Sequence, residues 1–143
     1  DAQQKFPLFG IPCGAQKDSH QQFIAAAMMR PGDVAVAISN TGQTAALLEL
    51  MATARKAGAT VIGISGRREG GMSALADLLL VVETLENTDI YTPTISRLAA
   101  LVLIDVLAVG VAMRRGMDHQ RRVAQMKQRL SSMRSRSTAR PED

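Results

Sequence analysis

The chain has 143 residues, 46% of them apolar but only 3% aromatic, and a formal net charge of +4. That length suits one domain with a buried core, which must rest on Ala, Val, Leu, Ile and Met. Scarce aromatics exclude modules that stack bases on aromatic platforms. The single cysteine, Cys13, excludes an internal disulfide and points to a reducing, cytoplasmic compartment.

The opening "DAQQKFPLFG" has no sustained apolar run, so no secretory signal is expected in it. "GIPCGA" (10–15) is short and apolar enough to be a strand, with Cys13 read as packing rather than as a reactive thiol. "DSHQQFIAAAMMRPGD" (18–33) predicts a helix capped by Asp18 or Ser19 and ended by Pro31 and Gly32. "DVAVAIS" (33–39) is apolar throughout, as a buried strand is. "TAALLELMATARKAG" (44–58) then places Leu47, Leu48, Met51 and Ala54 at helical spacing, with Gly58 where a helix-ending glycine belongs. "TVIGIS" (60–65) is the next strand, "GISGRREGG" (63–71) runs on into an exposed turn, and "ALADLLLVVE" (74–83) leads from a short helix into a third strand around 78–82.

A polar loop, "ENTDIYTPTISR" (86–97), opens a long helix over about 94–115. Its apolar heart (98–113) contains Asp105 and falls short of the ~20 residues of a membrane span, so no membrane contact is expected. Beyond Gly116, Val123, Met126, Leu130 and Met133 recur at three- and four-residue spacing and predict an amphipathic helix, followed by a frayed tail (136–143). Charge divides along the same line. Residues 1–113 balance to −2 and residues 114–143 to +6. The division gives a domain over 1–115 and a basic helix with tail over 116–143. Apolar strands alternating with helices indicate an α/β fold, a parallel sheet with helices on both faces.

One stretch departs from this apolar economy. "SNTGQT" lies where a strand ends and a helix begins, crowding Ser39, Asn40, Thr41, Gly42, Gln43 and Thr44 into one corner. Open parallel sheets bind ligands beyond the carboxyl ends of their strands. Gly42 lets the backbone turn tightly, the first helical N–H groups lack intrahelical partners, and three hydroxyls add rotatable donors. Together they are suited to a phosphate without help from Lys or Arg. An ordinary helix cap by Thr41 or Thr44 is the plainer alternative. No P-loop or Gly-x-Gly-x-x-Gly pattern is present.

Catalytic and metal chemistry find little support. His20 and His119 are the only imidazoles, and no ligand cluster accompanies them. Glu83 and Glu86 follow the third strand, as candidate bases or as solvated loop carboxylates. Glu86, Tyr91, Thr92 and Thr94 are candidate ligand contacts, unless the loop merely caps a helix begun by Pro93. Asp105, inside an apolar run, needs a partner. The +6 tail attracts phosphate backbones non-specifically, but without aromatics or a helix-turn-helix it reads as a solvated face.

Residues 33–66, "DVAVAISNTGQTAALLELMATARKAGATVIGISG", resemble the sugar isomerase (SIS) domain, whose phosphate loop reads Ser-x-Ser-Gly-x-Thr. Ser39, Thr41, Gly42 and Thr44 match it, with Thr41 for the second serine. The stretches at 18–34 and 86–116 are similar, more narrowly, to the sensor domain of RpiR-family transcription regulators of the HexR-like branch. The resemblance covers about residues 1–130. It implies a flavodoxin-like sheet that binds a phosphorylated sugar or sugar acid, for that branch 2-keto-3-deoxy-6-phosphogluconate. It also implies a homodimer, no cofactor and no catalysis. DNA contact would come only through a helix-turn-helix domain ahead of the sensor. By the same resemblance the chain begins after the family's first strand and its Gly-x-Gly-x-Ser loop. A sugar-phosphate isomerase is the alternative.

Overall fold

The computed structural model describes residues 1–87, 90 and 92–138, with side chains to residue 133. Its elements are α1 (Ala2–Lys5), a 3₁₀ turn (Phe6–Phe9), α2 (Ser19–Ala27), β1 (Val34–Ser39), α3 (Ala45–Lys56), β2 (Thr60–Ser65), α4 (Gly71–Leu75), β3 (Leu78–Val81), α5 (Ile95–Arg114) and α6 (Gly116–Thr138). Two compact units form: Ala15–Leu103, and Asp1–Gly14 together with the segment from Ile104 onward.

The first unit is a three-stranded parallel sheet in the order β1-β2-β3. The register pairs Val34 with Thr60 through to Ser39 with Ser65, and Ser65 in turn pairs with Val81. Ser39, Ser65 and Val81 therefore stand level, and the loops that follow all three strands emerge at one end of the sheet. This is the α/β architecture expected.

Successive side chains of a strand point to opposite faces. The face carrying Ala35, Ala37, Val61 and Leu79 meets α2, α3 and α4 in a core of Ala26, Ala37, Met51, Ala54, Ala59, Val61 and Met72. Small residues let the helices approach closely. A Cβ on Gly63 would lie 3.0 Å from Met72 Cγ and 2.8 Å from Leu79 Cδ1, so the glycine makes room for Met72. Unbranched methionine fills such irregular gaps well. On the other face Val34, Val36 and Ile38 of β1 remain exposed, as does Leu78 of β3.

Local chemistry ends each helix. Asp18 caps α2, its carboxylate accepting from Gln21 N–H at 3.0 Å. That helix stops at Ala27, before Pro31, because Arg30–Asp33 close a turn of their own. Asp33 N–H donates to Arg30 C=O at 3.0 Å, and Arg30 N–H donates to the Asp33 carboxylate at 2.8 Å. Gly58, at φ +92°, ends α3 as expected: its N–H donates to Arg55 C=O and that of Ala59 to Ala54 C=O, the paired bonds of a Schellman ending.

Two expectations are corrected. "GIPCGA" is irregular rather than a strand. Pro12 has no N–H for a ladder and two glycines flank it, which outweighs the apolar pattern. No strand precedes β1 among the described residues, so β1 is a sheet edge. The apolar run 98–113 belongs to a 20-residue helix with mean hydropathy 2.2 over its most apolar window, which by length and composition is enough to cross a membrane. Asp105 lies midway along it and is paired: Lys5 Nζ donates to its carboxylate and also lies 3.3 Å from Asp1. An unpaired charge at that depth in a bilayer would cost about 2.5–3.5 kcal/mol.

In the second unit the 3₁₀ turn rests against α6. Phe9 meets His119 with ring centroids 6.2 Å apart.

Candidate functional site

The site begins where β1 runs out. Ser39 closes the strand and α3 starts at Ala45, leaving five residues to turn the chain. Gly42 makes that turn possible at φ +66°, a conformation that costs a residue with a Cβ roughly 1–2 kcal/mol. Space forbids a Cβ as well, since one would sit 2.9 Å from Ser65 Oγ.

Within the turn three hydroxyls converge. Ser39 Oγ lies 3.4 Å from Thr41 Oγ1 and 3.2 Å from Thr44 Oγ1, and accepts from Gly42 N–H at 3.2 Å. Gln43 N–H donates to Thr41 Oγ1 at 3.4 Å. Thr44 is the N-cap of α3, yet its side chain makes no capping hydrogen bond. The plain helix-cap alternative is therefore not realised. Its hydroxyl joins the other two, and the first amides of α3 keep no intrahelical partner. The result is a cradle of hydroxyls and amides at the positive end of a 12-residue helix. Each hydroxyl can turn its one proton toward an incoming oxygen.

The turn after β2 holds this loop from the side. Gly66 N–H donates to Asn40 C=O at 3.0 Å, and Met72 N–H to Gly42 C=O at 3.1 Å. Gly66 and Gly70 are glycines for a steric reason. A Cβ on the first would lie 2.8 Å from the Asn40 carbonyl oxygen, and the second holds φ +142°, which a side chain rarely adopts. Ser65, buried, accepts from Arg67 N–H at 3.1 Å. Asn40 and Gln43 thus lie in the clamp, while Ser39, Thr41 and Thr44 form the hydroxyl cluster.

Glu86 has a different employment. Its carboxylate accepts from the N–H groups of Thr94 (2.5 Å), Ile95 (3.0 Å) and Ser96 (3.0 Å) and from the Ser96 hydroxyl (2.5 Å). These contacts lower its pKa from 4.5 to about 2. The Ser96 hydroxyl acts most strongly, followed by Ser96 N–H, while burial opposes and the Thr94 and Ile95 amides add. Four donors fill the acceptor positions of a carboxylate. Glu86 therefore caps the start of α5. α5 accordingly starts at Ile95, two residues past Pro93.

Thr92 is exposed and its carbonyl accepts from the Thr94 hydroxyl at 3.1 Å. Tyr91 lies outside the described residues. Glu83 is exposed on the loop after β3, and His20 is exposed in the first turn of α2. Among the described residues no group of three or more His, Cys, Asp and Glu side chains is placed to hold a metal. Sequence reasoning missed the clamp of Ser65, Gly66 and Gly70, whose only signal was the glycine spacing of "GISGRREGG", and the Glu86 cap.

Comparison with known proteins gives the family of the chain. The family model described as SIS domain matches residues 4–110. Over 130 residues the chain is 39% identical to the HTH-type transcriptional regulator HexR of Pseudomonas aeruginosa, covering 91% of this chain and 45% of that protein. It is 37% identical to HexR of Escherichia coli over 134 residues, covering 94% and 46%. The chain thus spans about half the length of these curated relatives. Among solved structures, the NanR protein of Vibrio vulnificus complexed with ManNAc-6P superposes with a TM-score of 0.79 at 20% identity, covering 92% of this chain and 50% of that one. At that identity the likeness establishes the fold.

Proposed function

Because the chain belongs to the SIS-domain family, we propose that it is the effector-sensing domain of a bacterial transcription regulator of sugar catabolism. In this reading it binds a phosphorylated sugar or sugar acid, with 2-keto-3-deoxy-6-phosphogluconate the first candidate. The carrying observation is the meeting of the Ser39, Thr41 and Thr44 hydroxyls at the unplugged N-terminus of α3. The similarity to HexR regulators supports a sensing role, and the NanR complex is with a phosphosugar.

Phosphate oxygens would take protons from the three hydroxyls and from the first amides of α3, whose dipole favours the negative charge. DNA contact belongs, in this reading, to a helix-turn-helix domain outside residues 1–143. On α5, Ile95, Leu98, Val102, Val106, Val109 and Met113 are 57–73% exposed and recur every three or four residues. Such a stripe supports a homodimer built on α5. A ligand shifts a regulator only by binding one arrangement more tightly than another, so a dimer interface that a ligand biases would pass occupancy on to DNA affinity.

The isomerase reading needs a base at the rim of the cradle. Glu86, held ionised by four donors, is poorly suited to accept a proton, which leaves Glu83.

A thermal-shift panel of phosphorylated sugars and sugar acids tests the proposal. At least one compound should raise the melting temperature, by about 2.7 kcal/mol of stabilisation at a hundredfold excess over Kd. Ser39→Ala should weaken that compound about tenfold while melting normally in its absence. No stabilisation by any compound overturns the sensor. Turnover of a sugar phosphate that is lost in Glu83→Gln replaces it with the isomerase.

A further inference from the structure

The sensor reading leaves α6 without a task. This helix runs for 23 residues, about 34 Å at the rise of an α-helix. Each residue turns the helix by about 100°, which puts Arg121, Arg122, Gln125, Gln128, Arg129 and Ser132 within about a third of its circumference. All six are exposed. The half-buried His119, Val123 and Met126 lie on a different face, together with Leu130 and Met133. The outer face thus offers three guanidiniums among amides and a hydroxyl, with no apolar side chain. Asp118 is the only carboxylate on α6. Its contact with Arg121, at 3.8 Å between two well-exposed side chains, is worth little. Arg122 and Arg129 form no ion pair or side-chain hydrogen bond among the described residues.

Residues 1–113 carry −2 and residues 114–143 carry +6, so attraction to a polyanion comes from this end of the chain. Unpaired cations on one face repel one another. A row of phosphates relieves that repulsion and releases its own condensed counter-ions. A face without apolar side chains has nothing to bury among lipid tails, and a chain with 3% aromatics has little on which to stack unpaired bases. The backbone of a DNA duplex fits both conditions, and one turn of it, about 34–36 Å, matches the length of α6. From this we infer that α6 is a second, sequence-independent contact with duplex DNA, made through Arg121, Arg122 and Arg129. The inference rests on the chain being part of a regulator whose helix-turn-helix domain reads the operator while α6 grips flanking phosphates. Tethering to a DNA-bound domain raises the local DNA concentration to about millimolar, so a weak grip suffices.

Fluorescence anisotropy of a labelled duplex of arbitrary sequence, titrated with the 143-residue chain, tests the contact. At about 50 mM salt the chain should bind, and log K should fall against log salt with a slope of about −2.7 for three neutralised phosphates. Arg122→Gln/Arg129→Gln should lower the affinity about tenfold or more and make the slope shallower by about 1.8. Arg122→Lys/Arg129→Lys keeps the charge and should keep most of the binding. Lys17→Gln/Lys56→Gln removes the same charge from exposed positions outside α6 and should leave affinity within about twofold. No duplex binding at about 50 mM salt overturns the inference. So does an equal loss in the two glutamine variants, which would reflect net charge alone, or a lysine variant as weak as the glutamine one. Capture by phosphatidylserine vesicles without duplex binding assigns α6 to a membrane surface and overturns it too. Duplex binding with no response to any phosphosugar of the thermal-shift panel keeps the α6 contact and removes the sensor, while the converse result keeps the sensor and removes the contact.

Discussion

The loops after β1 and β3 face the same physical problem and solve it in opposite ways. Each leads from the carboxyl end of a parallel strand into a helix whose first amides lack intrahelical partners. At α5 the chain supplies its own anion: the Glu86 carboxylate reaches forward eight to ten residues and takes three amides and a hydroxyl. At α3 it supplies none. Thr44 stands in the cap position without bonding into the helix, and the hydroxyls around it turn to one another. One helix end is sealed as structure and the other is left receptive. A carboxylate with four donors marks scaffold, whereas the uncapped amides beside the three hydroxyls are where we propose the ligand.

The largest effect expected from breaking this contrast is at Gly42. Gly42→Ala must accept φ +66° and a clash with Ser65 Oγ, together on the order of 1–3 kcal/mol. Chemical denaturation should show that loss, and phosphosugar binding should disappear with the loop's shape. An unchanged midpoint would mean that the clamp is not rigid.

Glu86→Gln comes next and acts on the sealed end. The folded carboxyl is lowered to about 2 from an ordinary 4.5. Above about 4.5 it is ionised whether folded or not, and its full stabilisation is present. As pH falls from 4.5 toward 2 the unfolded chain takes up the proton first and the stabilisation drains away. Melting temperature against pH should therefore slope less steeply in that window for Glu86→Gln than for the wild-type chain. Identical slopes would dissociate Glu86 from the helix end.

Thr44→Ala should do least to stability. A helix N-cap normally loses about 1 kcal/mol on such a change, but here no capping bond exists to lose. Melting should hold within about 0.5 kcal/mol, while phosphosugar affinity falls a few-fold. A cap-sized loss of stability with unchanged affinity would return the loop to ordinary helix-end chemistry.

Much of the receptive end was legible beforehand. The strands 34–39 and 60–65, the helix after the first and the hydroxyl crowd between them all follow from short-range pattern. The sealed end was not. Glu86 looked like a rim carboxylate because its partners lie eight to ten residues on, beyond any helical or strand period. "GIPCGA" misled for the opposite reason, since an apolar run says nothing of whether a neighbouring strand exists to pair with it.

What the sequence determined by itself was local: which segments are apolar throughout, where glycine permits a left-handed turn, and how a hydroxyl-rich loop opens a helix. Backbone sterics and side-chain periodicity act within a few residues, so neighbours suffice to read them. Tertiary structure alone decided which groups meet across the sheet. The register sets Ser39, Ser65 and Val81 level and thereby lays the turn of Arg67 and Arg68 beside the cradle. That alignment depends on hydrogen bonds between strands 26 and 16 positions apart, distances over which no local propensity carries information.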